Sequence, residues 1–315
     1  MPPSYRTPLL QVTTDKNEWS VKAARLSERA KLGCRYPAVK QAPKLRFEHE
    51  ASRYEEVAIA HQIAGEFLSA AETYGRAAAI RALELRCPAE AAGLYLKAAT
   101  AAEKVRPASA EHYCSLVQSQ ACKAENYALA GRAQEKTALR HVALCDDESA
   151  IGAFERAANY FLADSVTSKA SEMKERAAHL TGMVGRYMDA ASMYMVLGKE
   201  IIDAKSQDAT ESLFLCALLH FAATGPNEKL LRDKLDALTK LDPMFERSRE
   251  GEFTFQLFEC LALNFDLDAF ADHVYKYDCV VGLGVLQLRA LQELRRCLEG
   301  KEALKNGELL KTVST

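Results

Sequence analysis

The feature that most constrains this chain is a repeated pair of small residues followed, three or four positions on, by an aromatic ring. The pattern Ala-(Ala)-x-x-Tyr/Phe ends at Tyr74, Tyr95, Phe154 and Tyr194, and successive rings are 21, 59 and 40 positions apart. These distances are close to multiples of twenty, so a helix with its turn occupies about twenty residues and a helical hairpin about forty. The small residues are Ala70, Ala71, Ala91, Ala92, Ala150, Ala190 and Ala191.

This repeat predicts how the helices pack. Alanine lets two helices cross at close range, and an aromatic ring from the neighbouring helix fills the groove that remains. A single hairpin cannot bury such a stripe alone, so neighbouring hairpins must stack. No alternating β-branched run indicates a strand. The sequence therefore predicts an all-α fold, a TPR-like α-solenoid of stacked helical hairpins with a C-terminal helical bundle as a cap.

Local signals divide the chain further. Pro88 and Pro107 stand where helices begin, and the acids Asp147 and Glu148 and the cap Ser149 precede a helix expected from Ala150. The small-residue pattern lapses near 224–229, beyond which the apolar residues are larger. The predicted segments are 1–50, an N-terminal helix and basic loop; 51–225, the solenoid; 226–300, the bundle; and 301–315, a flexible tail.

Charge and cysteine usage exclude several classes of protein. The formal net charge of −2 argues against a dedicated nucleic-acid binder, so an electrostatic partner must meet a local patch. The first fifty residues carry ten Lys/Arg against five Asp/Glu, whereas residues 250–315 carry seven against eleven. Nine cysteines without a C-x-x-C motif or a secretory leader predict buried free thiols in a reducing compartment. With no apolar run of membrane-spanning length, we expect a cytoplasmic protein.

Motifs with catalytic precedents have plainer explanations here. Gly282-Leu-Gly-Val lacks the third glycine of a dinucleotide loop, and a turn before a helix explains it. Asp146-Asp147-Glu148 has no second acidic cluster to complete a metal site, and Asp266-Leu-Asp268 suits a helix start. The seven histidines show no ligand spacing, and no nucleophile motif appears. We expect no cofactor, no metal, no small-molecule substrate and no enzymatic activity.

Positive charge is the remaining signal. Basic residues recur along two predicted helices, and consecutive helices of one solenoid layer would align them. The pattern has two interpretations: an ordinary solvated helix face, or a continuous field for an acidic, rod-like partner. The residues are Arg132, Lys136 and Arg140 on one helix and Lys169, Lys174 and Arg176 on the next but one.

Several blocks of the chain resemble a known family. They are "AIGAFERAANYF", "KERAAHL…GRYMDAASMYMVLG", "FLCALLHF", "LDPMFERSRE" and "KYDCVVGLGVLQLRALQELRRCLEG". From about 50 to 300 they follow the order found in the soluble NSF attachment proteins, the SNAP adaptors of the alpha/beta type. The resemblance implies an adaptor that coats the four-helix SNARE bundle, recruits the hexameric ATPase NSF for its disassembly, and acts in vesicle fusion with peripheral membrane association.

The resemblance also implies functional residues. Arg132 and Arg176 match two basic SNARE-contacting positions, and Glu172 stands where a lysine is expected, so Lys169 or Lys174 is the candidate replacement. Lys136 completes the candidate SNARE-binding set. At the acidic end, the candidate NSF-binding residues are Glu259, Leu304, Leu309 and Leu310, with apolar Ala262 and Leu263 where the family has acids.

A membrane-contacting loop follows the first helix in this family. The corresponding segment, "KLGCRYPAVKQAPK", carries fewer large apolar groups and more basic ones. We therefore expect membrane contact that depends on charge and weakens with salt. The candidate residues are Leu32, Arg35, Tyr36, Lys40 and Lys44.

Two other functions fit a helical chain. The first is a generic TPR-like scaffold that binds peptides or proteins for another assembly, for which the Asn and Lys clamps of terminus-binding grooves would be expected. The second is an all-helical enzyme of the terpene-cyclase kind. That enzyme would need a second acidic metal cluster facing residues 146–148.

Overall fold

The computed structural model describes the backbone of residues 16–35, 43–204, 210–225, 228–263 and 267–313. Within these ranges the chain forms fourteen α-helices, a 3-10 turn at Phe245–Arg247 and no strand, which confirms the predicted all-α fold of consecutive helical hairpins. The helices are α1 (Lys16–Arg35), α2 (Pro43–Ala64), α3 (Phe67–Leu83), α4 (Pro88–Glu103), α5 (Pro107–Lys123), α6 (Tyr127–Ala143), α7 (Asp147–Ala163), α8 (Thr167–Met183), α9 (Tyr187–Asp203), α10 (Glu211–Ala223), α11 (Glu228–Leu241), α12 (Arg249–Leu263), α13 (Leu267–Val281) and α14 (Val285–Val313).

The helix starts that the prolines predict agree with the structure. Pro88 and Pro107 occupy the first turns of α4 and α5, where a missing N–H costs nothing. Residues 282–284 form a non-helical connection before α14, where the sequence predicts a turn. The expected start of α7 at Ala150 is wrong by three residues, because the helix begins at Asp147 and places its acids inside the first turn.

Five of the turns between consecutive helices share one backbone geometry. After α7, the N–H of Val166 donates to the C=O of Phe161 at 2.8 Å and that of Ser165 to Leu162 at 2.9 Å. This pair of bonds is a Schellman motif, which holds one residue at positive φ. The residue in that position is Gly65, Glu125, Cys145, Ser165 or Gly185 in five successive examples of the motif. Three are not glycine, although the left-handed conformation costs an L-residue about 1–2 kcal/mol.

Two compact units can be distinguished, and the first comprises residues 1–140 and 159–166. Helices α1 to α5 pack in chain order, each against the next. The predicted small residues Ala70 and Ala71 are at most 1% exposed, and Tyr74 and Tyr95 are 2% and 7% exposed. The alanine–aromatic repeat is therefore a packing signature in this unit, as expected.

The second unit comprises residues 141–158 and 167–315. Helices α8, α9 and α10 pack in order, and α10 also contacts α11, α12 and α14. Because it is surrounded, ten of the thirteen residues of α10 are buried, including Phe214. The repeat rings Phe154 and Tyr194 are buried here too.

The predicted division of the chain into four segments stays a prediction. Helix α10, assigned from the sequence to the solenoid, shares one core with α12 and α14 of the predicted bundle. Helix α14 continues to Val313, through most of the segment expected to be a flexible tail.

The described cysteines are free thiols, as expected. Cys114 and Cys260 are buried, but Cys145 and Cys279 are exposed, so the prediction of buried thiols is wrong for these two. Cys145 occupies the left-handed position of the α6–α7 turn.

Candidate functional site

Helix α6 carries the first group of predicted basic residues. Arg132 is exposed and forms no ion pair with any residue that the structure describes. Lys136 Nζ lies 2.7 Å from the Glu103 carboxylate of α4, and Arg140 Nη2 lies 3.3 Å from the Glu111 carboxylate of α5. Partners within the chain thus neutralise Lys136 and Arg140. Arg132 is the member of this group that presents its charge to solvent.

Helix α8 brings two of its basic residues together around an acid. Lys169 Nζ lies 2.5 Å from Glu172 Oε2, and Arg176 Nη2 lies 2.7 Å from Glu172 Oε1. The hydrogen bond from Lys169, together with the charges of both cations, lowers the pKa of the Glu172 carboxyl. The Arg176 guanidinium also lies 5.9 Å from the ring centre of Phe154 on α7. Glu172 therefore stays ionised and bridges both cations.

Lys174 lies apart from this pair. Its Nζ is 2.5 Å from the Glu200 carboxylate of α9. Five residues separate it from Lys169, which at 100° per residue places the two side chains on different sides of α8. The three basic residues of α8 consequently do not form the single line that their proximity in sequence suggested.

A polar groove of about 250 Å³ opens beside Glu172. Serine hydroxyls and two carboxylates line it over an aliphatic floor, so this part of α8 is mixed in charge. Its lining residues are Ser168, Ser171, Glu172, Glu175, Leu197, Ile201, Ser212 and Leu213.

Glu259, the predicted acidic contact near the C-terminal end, is exposed on α12. It borders a cleft of about 230 Å³ between α11 and α12. The cleft floor is apolar and its rim carries Arg232, Asp236 and Glu259. The apolar members are Leu231, Leu235, Phe255 and Phe258. Sequence analysis missed this cleft, although the leucines of α11 recur with helical spacing.

Comparison with known families gives a match over most of the chain. The model of the family described as "Soluble NSF attachment protein, SNAP" matches residues 38–299. The chain belongs to this SNAP family.

Sequence identity to individual SNAP-family proteins is about one quarter. The chain is 26% identical over 161 residues to the alpha-soluble NSF attachment protein of Homo sapiens, covering 50% of this chain and 53% of the relative. It is 25% identical over 160 residues to the probable vesicular-fusion protein sec17 homolog of Schizosaccharomyces pombe, covering 50% and 55%. With the vesicular-fusion protein SEC17 of Komagataella phaffii, identity is 26% over 180 residues, or 56% and 59%. The chain thus spans little more than half the length of these relatives.

Several predicted contacts of this SNAP-family chain lie outside the described residues. These are the side chains of Leu32, Arg35, Tyr36 and Lys40 in the membrane set, and those of Leu304, Leu309 and Leu310 in the NSF set. Lys44 is described and exposed at the start of α2.

The described residues contain neither a membrane-spanning helix nor a cluster of metal-ligating side chains. No described helix is both long and apolar enough to cross a bilayer. Within the same ranges, His, Cys, Asp and Glu side chains form no group of three or more that could hold a metal ion.

The ion pairs are the part of this surface that sequence analysis missed. The Lys169–Glu172 and Glu172–Arg176 spacings of three and four residues are a recognisable helical signal. The Lys136–Glu103 pair joins residues 33 positions apart, and no local pattern indicates it.

Proposed function

We propose that this SNAP-family chain is a non-catalytic adaptor that binds assembled SNARE complexes and recruits an NSF-type ATPase hexamer for their disassembly in membrane trafficking. The family match over residues 38–299 is the observation that carries this proposal. The relatives bear names that refer to NSF attachment and to vesicular fusion. The alternative, a TPR-like scaffold for another assembly, shares the fold but not the family match.

The proposed SNARE-binding residues are Arg132, Lys136, Lys169, Lys174 and Arg176. Exposed Arg132 is the strongest candidate, because no described carboxylate competes for it. Its guanidinium can bind a carboxylate of the partner through two parallel hydrogen bonds. Lys136 and Lys174 are already paired, so they contribute only if the partner displaces Glu103 and Glu200.

The proposed NSF contact lies around Glu259. An exposed carboxylate beside an apolar cleft suits a partner that presents a basic side chain next to an apolar one. Leu304, Leu309 and Leu310 are the proposed stimulatory leucines of the C-terminal segment. We propose a cytoplasmic location with weak peripheral membrane contact through Leu32, Arg35, Tyr36, Lys40 and Lys44.

A pull-down from cytosol tests the function directly. The tagged full chain is incubated either with hydrolysable ATP and Mg²⁺ or with a non-hydrolysable ATP analogue. We expect SNAREs and a AAA ATPase to be retained together only when hydrolysis is blocked, because hydrolysis disassembles the complex. Recovery of neither, or of a different assembly whatever the nucleotide, contradicts the adaptor function and favours the scaffold alternative.

A further inference from the structure

We propose that Glu172 is an internal competitor that limits how tightly the α8 surface binds an acidic partner. This inference rests on the proposed function, because it concerns the same SNARE-binding surface. Glu172 holds the two cations that such a partner would need, Lys169 and Arg176. Glu172 therefore weakens the binding of acidic surfaces to α8 in general.

The geometry places a carboxylate where a partner's carboxylate would bind. The two oxygens of Glu172 are used separately, Oε2 by Lys169 and Oε1 by Arg176. Each cation thus has a charged acceptor within hydrogen-bonding distance before any partner arrives. The formal charges of Lys169, Glu172 and Arg176 sum to +1, and neutralising Glu172 raises that sum to +2.

A partner can displace the Glu172 carboxylate from Lys169 and Arg176. The side chains of Lys169, Glu172 and Arg176 are 48%, 36% and 40% exposed, so a partner can reach all three. Exposed ion pairs contribute little stability, with a median of about 0–1 kcal/mol. Glu172 therefore weakens binding without preventing it, and its removal leaves α8 intact.

Removing the negative charge of Glu172 should raise the affinity for an acidic partner. Each surface pair that a partner no longer has to displace corresponds at most to about a fivefold gain in affinity. For two such pairs, with the increase in local charge, we expect Glu172→Gln to bind an acidic partner about three- to tenfold more tightly. This gain is electrostatic, so it must shrink as salt is raised.

The matched control is Asp272→Asn. It removes one negative charge, as Glu172→Gln does, but it frees Lys276 on α13, which is not among the proposed SNARE-binding residues. A general effect of net charge would act equally on both variants. A local effect at Lys169 and Arg176 would appear only in the first variant.

The experiment measures the affinity of the full chain and both variants for two probes over a series of salt concentrations. One probe is a purified, assembled four-helix SNARE bundle, and the other is poly-L-glutamate, an acidic polypeptide without SNARE structure. Circular dichroism checks that each variant keeps its helix content. We expect the affinity of Glu172→Gln for both probes to exceed that of the wild type by the stated factor, while the affinity of Asp272→Asn equals that of the wild type.

The outcomes separate the two proposals. If the wild type binds the bundle but Glu172→Gln gives no gain, or both variants gain equally, the inference is wrong and the proposed function stands. If nothing binds the bundle but Glu172→Gln binds poly-L-glutamate more tightly than the other two proteins, the inference stands and the proposed function is wrong. Absence of binding to either probe contradicts both.

Discussion

The ring of Phe214 on α10 packs directly against the backbone of Gly198 on α9. A Cβ atom added at Gly198 would lie 2.4 Å from Phe214 Cε1. The ring cannot move aside, because Phe214 is fully buried and meets Phe245 edge-on at 5.8 Å between ring centres. This contact is the close approach that the alanine–aromatic repeat predicts, with glycine in place of alanine.

Gly198→Ala is therefore expected to destabilise the second unit. Alanine favours a helix over glycine by about 0.5–1 kcal/mol. Overpacking a core usually costs about 1–3 kcal/mol, and 2.4 Å is far inside van der Waals contact. The clash exceeds the helix-propensity gain, and we expect a net loss of about 1–2 kcal/mol in the free energy of unfolding by urea.

Gly152→Ala is the matched control in the same unit. A Cβ at Gly152 would meet only the flexible Arg156 side chain, at 3.4 Å. Here the helix propensity decides, so we expect equal or higher stability than the wild type. Equal destabilisation by the two substitutions would show that the Phe214 contact is not the cause.

We expect the free energy of unfolding to depend on pH because His220 is buried. Its ring is fully buried between Tyr187 and Tyr194, with Nδ1 at 2.5 Å from the Cys216 carbonyl oxygen and no partner for Nε2 among the described residues. A carbonyl only accepts, so Nδ1 carries the proton and Nε2 is unprotonated. Burial, assisted by the neighbouring His179, lowers the pKa of His220.

The lowered pKa of folded His220 makes the protein less stable in acid. The unfolded chain binds a proton at His220 near its ordinary pKa of about 6.5, while the folded chain resists protonation, so acid favours unfolding. The contribution of neutral His220 to the free energy of unfolding is fully present above about pH 6.5. Below that pH the contribution falls, and the unfolding constant rises by up to about tenfold per pH unit for one proton. His179 adds to this slope because burial lowers its pKa as well.

Urea unfolding between about pH 5 and pH 8 checks this prediction. We expect His220→Phe to reduce the slope of the unfolding free energy against pH by up to one proton. The ¹⁵N shifts of the His220 ring in the wild type provide a test that needs no variant. An Nε2–H tautomer, or a slope that His220→Phe does not change, would contradict the assignment.

Charge reversal at Arg132 and Arg176 should weaken SNARE binding. Like charges brought together at an interface are repelled by several kcal/mol, so we expect at least about a tenfold loss of affinity for the assembled bundle. Helix content by circular dichroism should not change, because Arg132 is exposed and the Arg176 side chain is 40% exposed. The double reversal at exposed Lys123 and Lys199, on α5 and α9, alters net charge equally and should bind normally. Normal binding by the Arg132/Arg176 variant would remove these residues from the proposed site.

Membrane contact through the basic segment should depend on charge. A basic side chain near an anionic surface contributes about 1 kcal/mol, an effect that decays within a Debye length. Co-sedimentation with anionic liposomes should therefore fall as salt is raised, and fall further when Arg35, Lys40 and Lys44 are changed to Gln. The same change at Lys123, Lys199 and Lys240 is the control. Binding that ignores salt would contradict the proposal.

The sequence by itself determined the helical class, the repeat and the helix starts at Pro88 and Pro107. The prolines that begin α4 and α5 act within one helical turn, and the alanines opposite Tyr74 and Tyr194 act between adjacent helices. Because these effects are local, the sequence pattern predicts them. The left-handed turn positions at Glu125, Cys145 and Ser165 could not be predicted from the sequence, because they are occupied by residue types that usually avoid positive φ.

Only the tertiary structure decided which charges remain available. Lys136 and Lys174 meet Glu103 and Glu200 across helices, and His220 loses its solvent to rings from α9. The physical reason is that spacing fixes which residues share one helix face, but not what the neighbouring helix places opposite that face. Charge and burial depend on the opposing residues, and these lie tens of positions away in the chain.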